Sequence, residues 1–138
     1  MSLLQLIYAS DLSGSNESEL STILSASVRN NEKNGITGML VYKNGRFLQV
    51  LEGKKENVLE TYGRIGKDPR HQSIVLLLKD AIESRDFKDW SMGFKKLLDS
   101  DLENFPKYVK YFNTTLKDVD IAARPSIALE ILKVFSTH

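Results

Sequence analysis

Residues 34–53, with the sequence NGITGMLVYKNGRFLQVLEG, contain the feature that most limits how this chain can fold. Two apolar runs are joined there by Asn44-Gly45. Asn-Gly between apolar runs is the strongest short-range signal for a β-hairpin, because a type I′ turn needs positive φ at both central positions. The turn also predicts the register, with these facing pairs: Lys43 with Arg46, Tyr42 with Phe47, Leu40 with Gln49 and Gly38 with Leu51.

Both faces of this hairpin are apolar, because side chains alternate between the two faces along each strand. One face carries Leu40, Tyr42, Phe47, Gln49 and Leu51, and the other carries Met39, Val41, Leu48 and Val50. A sheet that is apolar on both sides must be covered on both sides, so we expect the hairpin to be central. Gln49 is the exception, and a buried amide needs a polar partner that its own strand does not supply.

Composition excludes several classes of function. The length of 138 residues predicts one domain. The 19 basic and 18 acidic side chains give a net charge of +1, which gives no sign of the excess positive charge that binds nucleic acid or an anionic membrane. No cysteine is present, which excludes disulfides, thiol nucleophiles and photochemistry that makes a cysteinyl adduct. No signal peptide or membrane span is apparent, and we expect a cytoplasmic protein.

The first third of the chain predicts a strand and a helix. Residues 3–10 alternate as a strand with Leu4, Leu6 and Tyr8 on one face, and residues 11–16 form a polar loop. A helix capped by Asn16 should run to about Glu32, with an apolar stripe at Leu20, Ile23 and Leu24. The stripe continues into Ser27 and Asn31, which fits either a solvated helix end or contacts to a buried polar ligand.

The second half predicts a helix, two strands and a helical tail. A helix over residues 54–67 ends at Asp68-Pro69, with Arg64, Asp68, Arg70 and His71 clustered at that end. Strands are predicted over 73–79 and 90–98, with a charged connection over 80–89 between them. Two amphipathic stripes follow, Phe105, Tyr108, Val109 and Phe112 in the first, and Ile127, Ile131, Leu132 and Phe135 in the second. They can cover the second face of the sheet or dock on another subunit.

The order of elements predicts an α+β fold of the ferredoxin-like βαββαββ type, with a five-stranded mixed sheet. Several motifs then occur together and in order: Tyr8, Asn31, NGITGML, FLQVLEG, IxxDxRH at 65–71 and WSM at 90–92. This set resembles the BLUF family of blue-light receptors that bind a flavin. The resemblance covers about residues 3–97. The tail, with ARPS at 123–126, is similar to the two helices that follow the photosensor in short members.

The resemblance implies a photosensor domain over residues 1–97 and a helical extension over 98–138 that packs on the sheet or on a partner. The two main helices would lie on the flavin side of the sheet, and the two short C-terminal helices on the other face. FAD is the implied cofactor, with FMN and riboflavin as alternatives. The implied flavin-binding residues are Ile23 and Ile65 flanking the ring, with Ser27, Asn31, Gln49, Arg64, Asp68, Arg70 and His71 at its polar parts.

The resemblance also implies a mechanism in which Tyr8 gives an electron and a proton after blue-light excitation. Gln49 then changes its hydrogen bonds to the flavin by rotation or tautomerisation, and absorption shifts to the red. Met92 and Trp90 would relay the change through the fifth strand to the tail. Because no effector domain is apparent, we expect the signal to leave through a homo-oligomer or a separate partner protein.

Three other functions fit the same fold less well. An acylphosphatase-like hydrolase would need an arginine in the loop after the first strand, and residues 11–16 contain none. A flavin oxidoreductase lacks a visible nicotinamide site. In a light-independent flavin-binding or interaction module, Tyr8 and Gln49 would be a structural pair. We therefore expect a sensor and not an enzyme.

Overall fold

The computed structural model describes residues 3–12, 20–43, 45–68, 71–88, 93–109, 112 and 125–137. The strands are β1 (Leu3–Leu12), β2 (Thr37–Lys43), β3 (Arg46–Lys54), β4 (His71–Ile82) and β5 (Gly93–Lys96). The helices are α1 (Leu20–Asn34), α2 (Lys55–Lys67), α3 (Asp99–Glu103) and α4 (Pro125–Thr137), with a 3₁₀ turn over Pro106–Tyr108.

The strands form one five-stranded sheet in the order β4-β1-β3-β2-β5. β5 runs parallel to β2, and the other neighbours are antiparallel. The predicted mixed sheet is confirmed, and β3 of the hairpin occupies its centre. All four predicted facing pairs of the hairpin are confirmed, including Leu40 with Gln49.

Two glycines supply the backbone conformations that the hairpin region requires. Gly45 has a φ of 83° in the turn between β2 and β3, as the Asn-Gly signal predicts. Gly35 has a φ of 65° just after α1, and the Ile36 N–H donates to the Asn31 carbonyl at 2.9 Å. This left-handed residue ends the helix and turns the chain directly into β2.

The sheet has two covered faces, here named by their residues. The front face carries Leu6, Tyr8, Leu40, Phe47, Gln49 and Leu51, and it packs against apolar side chains of α1 and α2. The back face carries Ile7, Met39, Val41, Leu48 and Val50, and it packs against α4 and against the side chains of Tyr108 and Phe112. The prediction that the tail stripes cover the second apolar face is therefore confirmed, whereas the division into domains at residue 97 stays a prediction.

The back face also holds a buried carboxylate, Glu52, whose side chain is fully enclosed. Its oxygens accept hydrogen bonds from the Gln5 amide at 2.7 Å and from the backbone N–H groups of Asp86 and Phe87 at 3.1 and 2.8 Å. The Gln5 amide also donates to Asp86 at 2.9 Å. Glu52 thereby fastens the connection after β4 to the end of β3.

Some predicted boundaries were wrong. β1 extends to Leu12 and β4 runs from His71 to Ile82, so polar residues predicted as loops continue the ladder. The cause is pairing, because each of these strands supplies backbone partners along most of the other's length. β5 ends at Lys96, two residues before the predicted end, and Tyr108 lies in a 3₁₀ turn. The predicted helix cap at Asn16 lies outside the described residues.

Among the helices of the described part of the chain, none is long and apolar enough to cross a membrane.

Candidate functional site

The centre of the candidate site is a hydrogen bond between two neighbouring strands. Tyr8 on β1 and Gln49 on β3 are direct partners in the antiparallel ladder, so their side chains leave the sheet side by side on the front face. The Tyr8 hydroxyl donates to Gln49 Oε1. Both side chains are almost completely buried, with exposures of 1% and 2%. The buried amide in the hairpin therefore has its polar partner.

Burial keeps the Tyr8 phenol neutral. Removal from water raises the pKa of its hydroxyl far above the ordinary value, and the neighbouring Tyr62 and Asp68 raise it further. The ring of Tyr62 lies 5.5 Å from that of Tyr8, tilted by 55°. Tyr8 is thus a neutral hydrogen-bond donor, and its hydroxyl proton lies between the phenol oxygen and Gln49 Oε1.

A cleft of about 250 Å³ opens over this pair, between α1 and α2. Its apolar walls come from both helices and from the hairpin: Ile23, Ala26, Leu40, Phe47, Leu51 and Ile65. Its polar lining consists of Tyr8, Ser27, Asn30, Asn31, Gln49, Thr61, Arg64 and Asp68. A cleft with apolar walls and several polar side chains suits a small molecule that has both apolar surface and polar substituents.

Eight residues singled out in the sequence line this one cleft: Tyr8, Ile23, Ser27, Asn31, Gln49, Arg64, Ile65 and Asp68. Four others cannot be assigned to it. Arg70, Trp90 and Met92 lie outside the described residues, and so does the side chain of His71, whose backbone begins β4. The roles predicted for these twelve residues stay predictions.

Sequence reasoning missed Asn30 and Thr61, which also line the cleft. Asn30 Nδ2 donates to Thr61 Oγ1 at 3.2 Å, from α1 to α2. The signal was present in the sequence, since Thr61 lies three residues after Val58 and four before Ile65 on one helical stripe. The pairing itself depends on how the two helices lie against each other, which the sequence pattern does not specify.

The described residues contain no cluster of three or more side chains able to hold a metal ion.

Fold and cleft together define a class, that of an α+β sheet domain with a cleft between two helices and one face of the sheet. The family model named "BLUF: Sensors of blue-light using FAD" matches residues 3–93. The chain belongs to this BLUF family of blue-light sensors, and the resemblance found in its motifs is confirmed.

Known relatives agree with this assignment. The photoactivated adenylate cyclase subunit beta of Euglena longa is 37% identical over 75 residues, which are 54% of this chain and 9% of that protein. The blue light- and temperature-regulated antirepressor BluF of Escherichia coli K12 is 38% identical over 69 residues, 50% of this chain and 17% of that protein. This chain thus spans less than a fifth of either relative.

The solved structure of BlsA in its photo-activated state superposes with a TM-score of 0.79 at 29% identity. The match covers 96% of this chain and 95% of that one, so it includes the helical tail. The ferredoxin-like fold predicted from the order of elements is confirmed.

Members of the family bind a flavin, and the cleft fits one. Ile23 on α1 and Ile65 on α2 supply apolar walls, while Gln49 and Asn31 supply amides. The cleft volume of about 250 Å³ lies just below the range for small-molecule sites, roughly 300–1,000 Å³.

Proposed function

We propose that this protein is a blue-light photoreceptor that binds a flavin non-covalently between α1 and α2, with Tyr8 and Gln49 as its photochemical switch. The observation that carries the proposal is the buried hydrogen bond from the Tyr8 hydroxyl to Gln49 Oε1 at the base of the cleft. FAD is the proposed flavin, and FMN and riboflavin are the alternatives. The protein is proposed to sense light and not to catalyse a reaction.

The flavin, when bound, absorbs blue light and becomes an electron acceptor. Tyr8 is then the electron donor, and because its buried hydroxyl is neutral, it must release its proton as well. Gln49 Oε1 accepts the hydrogen bond from that hydroxyl and is the first atom able to receive the proton. Phenol and amide therefore act as one unit.

Gln49 can change its hydrogen bonds after the electron transfer because an amide has a donor end and an acceptor end. Rotation by half a turn, or tautomerisation, exchanges the hydrogen bond offered to each neighbour. The buried Tyr8 and the walls of the cleft restrict the amide to few orientations. A changed hydrogen bond to a flavin carbonyl is the proposed cause of a red shift.

The other proposed binding residues have chemically distinct tasks. Ile23 and Ile65 would flank the ring and exclude water, and Asn31, almost fully buried at 1% exposure, would bond its polar edge. Ser27, Asp68 and Arg64 also line the cleft and suit carbonyl, hydroxyl or phosphate groups. Arg70 and His71 are assigned to the same task by the family motif alone.

Output is proposed to leave through β5 and the tail. β5 pairs with β2 of the hairpin, and α4 packs on the back face directly behind it. Met92 and Trp90, just before β5 in the sequence, are the proposed relay. The Euglena relative is by name a photoactivated cyclase, which supports signalling to an effector. A partner protein or a homo-oligomer, in the cytoplasm, is the proposed recipient.

The absorption spectrum of the flavin-loaded protein tests the proposal. We expect a yellow protein whose spectrum shifts slightly to the red on brief blue illumination and recovers in the dark. A protein that takes up no flavin contradicts the proposal. Bound flavin without a light response would favour a light-independent binding module. Bleaching to reduced flavin without a shift would favour an oxidoreductase.

A further inference from the structure

Tyr62 on α2 packs against the ring of Tyr8. The two ring centroids lie 5.5 Å apart, and the rings are tilted by 55°. Both side chains belong to one apolar cluster, together with Leu59, Ile65 and Ile74. Among the described residues, the cleft is lined by Tyr8 and Ile65 but not by Tyr62. Tyr62 therefore contacts the Tyr8 ring from a side that does not face the proposed ligand.

The two phenols differ in their exposure to water. Tyr8 is 1% exposed, whereas Tyr62 is half-buried, so Tyr62 is the outer ring of the pair. The Tyr8 hydroxyl donates to Gln49 Oε1 on β3, and the ladder partner of Tyr8 on β4 is the apolar Leu76. A phenol that meets water can lose its proton to it, whereas an enclosed phenol keeps the proton because ionisation would bury a charge.

Charged and titratable groups also surround this phenol. Burial raises the pKa of Tyr8 most, and the neighbouring Tyr62 and Asp68 raise it further. Arg64 lines the same cleft, where it is bound to Glu60 at 2.8 Å. Because burial is the largest cause, whatever keeps water away from Tyr8 also keeps it protonated.

We propose that the ring of Tyr62 is a shield over the photoactive phenol, which confines the Tyr8 proton to its hydrogen bond with Gln49. Tyr62 is then a positioning residue, because it acts through Tyr8. Its role after light absorption rests on the proposed function, whereas the shielding itself is a property of the apoprotein. The ring and not the hydroxyl supplies the shield, so Phe should replace Tyr62 and Ala should not.

The first test is a base titration of the apoprotein, followed by the ultraviolet absorbance of ionised tyrosine. Each variant is titrated with and without Tyr8→Phe, so that the difference between the two curves reports Tyr8 alone. In Tyr62→Ala, the pKa of Tyr8 should fall to within about one unit of its ordinary value of about 10. In Tyr62→Phe, Tyr8 should stay protonated until the protein unfolds.

Leu59→Ala is the matched control, because it shortens another half-buried side chain of the same helix and cluster. It should leave the titration of Tyr8 unchanged, even where its urea midpoint falls as much as that of Tyr62→Ala. If Tyr62→Ala does not fold, Tyr62→Leu takes its place. This variant keeps apolar bulk without the ring and should lower the pKa of Tyr8 by a smaller amount.

The second test is the dark recovery of the FAD-loaded protein in imidazole, a small base that can take a proton from an exposed phenol. Rising imidazole concentration should shorten the recovery of Tyr62→Ala. It should leave the recovery of the unaltered protein and of Tyr62→Phe unchanged, because the ring still covers Tyr8.

An unchanged pKa of Tyr8 in Tyr62→Ala overturns the shield, as does an equal fall in Leu59→Ala or in Tyr62→Phe. Imidazole that shortens the recovery of all variants equally overturns the confinement of the proton. These outcomes leave the flavin binding and the red shift of the unaltered protein intact, so the proposed function survives them. An unaltered protein that binds no FAD overturns the proposed function, and the titration of the apoprotein then still decides whether Tyr62 shields Tyr8.

Discussion

On the back face of the sheet a buried carboxylate is surrounded by protein donors, whereas on the front face a buried phenol and amide lie at the wall of a cleft. Glu52 is bonded by Gln5 and by two backbone N–H groups from the connection after β4. Tyr8 and Gln49 bond each other and also line the space between α1 and α2. One strand, β3, supplies Glu52 to one face and Gln49 to the other.

The difference lies in the helices that cover each face. α4 presents a continuous apolar stripe that contains Ala128, Ile131, Leu132 and Phe135, and these side chains fill the back face. On α1 the stripe starts with Leu20 and Ile23 and continues into Ser27, Asn30 and Asn31, so it leaves room at the front face. Buried polar groups support structure where the chain closes over them and become available for ligands where it does not.

The largest expected effect comes from truncating an isoleucine on each face. Ile131→Ala removes a fully buried side chain from the back core and should lower the free energy of unfolding by about 2–5 kcal/mol without changing flavin affinity. Ile65→Ala, at a half-buried cleft wall, should cost about 1 kcal/mol and weaken flavin binding. Urea unfolding of the apoprotein and flavin titration measure the two effects. If both variants lost the same free energy of unfolding and the same flavin affinity, the back face could not be called structural and the front face ligand-binding.

A smaller effect is expected from Glu52→Gln. The substitution turns one acceptor oxygen into an NH₂ group that faces donors, and leaving such groups unsatisfied should cost about 2 kcal/mol. Urea unfolding should show this loss, while the light response persists. Glu83→Gln, on an exposed side chain, is the control and should stay within about 0.5 kcal/mol. If Glu52→Gln were as stable as the control, Glu52 would not fasten the connection.

The smallest effect is a dependence of stability on alkaline pH. The pKa of Tyr8 is raised in the folded protein, first by burial and then by Tyr62 and Asp68, above its unfolded value of about 10. Its contribution to stability is therefore complete below about pH 10 and is lost as the pH rises above that, by up to about 1.4 kcal/mol per pH unit.

Tyr8→Phe should reduce that slope, measured by urea unfolding between about pH 9 and about pH 11. Some slope should remain, because burial also raises the pKa of Tyr62. An identical slope in the variant and in the unaltered protein would show that the phenol at the base of the cleft is not protected from ionisation.

Local signals in the sequence were sufficient for the centre of the fold. The Asn44-Gly45 turn and period-two alternation predicted the register of β2 and β3, the two apolar faces and the central place of the hairpin. They also predicted that Gln49 needs a partner. Alternation along β1 predicted that Tyr8 shares a face with Leu4 and Leu6, and the resemblance to the BLUF family singled it out as a site residue.

Features that depend on distant parts of the chain were not predicted. The partners of Glu52 come from residues 86 and 87, and the bridge between Asn30 and Thr61 depends on the packing of two helices. The ends of β4 are set by pairing with β1 and not by its own composition. Arg70, Trp90, Met92 and the side chain of His71 lie outside the described residues, so their roles stay predictions.

The central claim is that the hydrogen bond between Tyr8 and Gln49 makes the front face a light switch. The most direct test is the light-minus-dark absorption spectrum of flavin-loaded Tyr8→Phe. The control is Tyr62→Phe, which removes a phenol hydroxyl from a neighbouring ring whose centroid lies 5.5 Å from that of Tyr8. Both variants should bind flavin, and only Tyr62→Phe should keep the reversible red shift of the unaltered protein. A red shift that persists in Tyr8→Phe would contradict the claim.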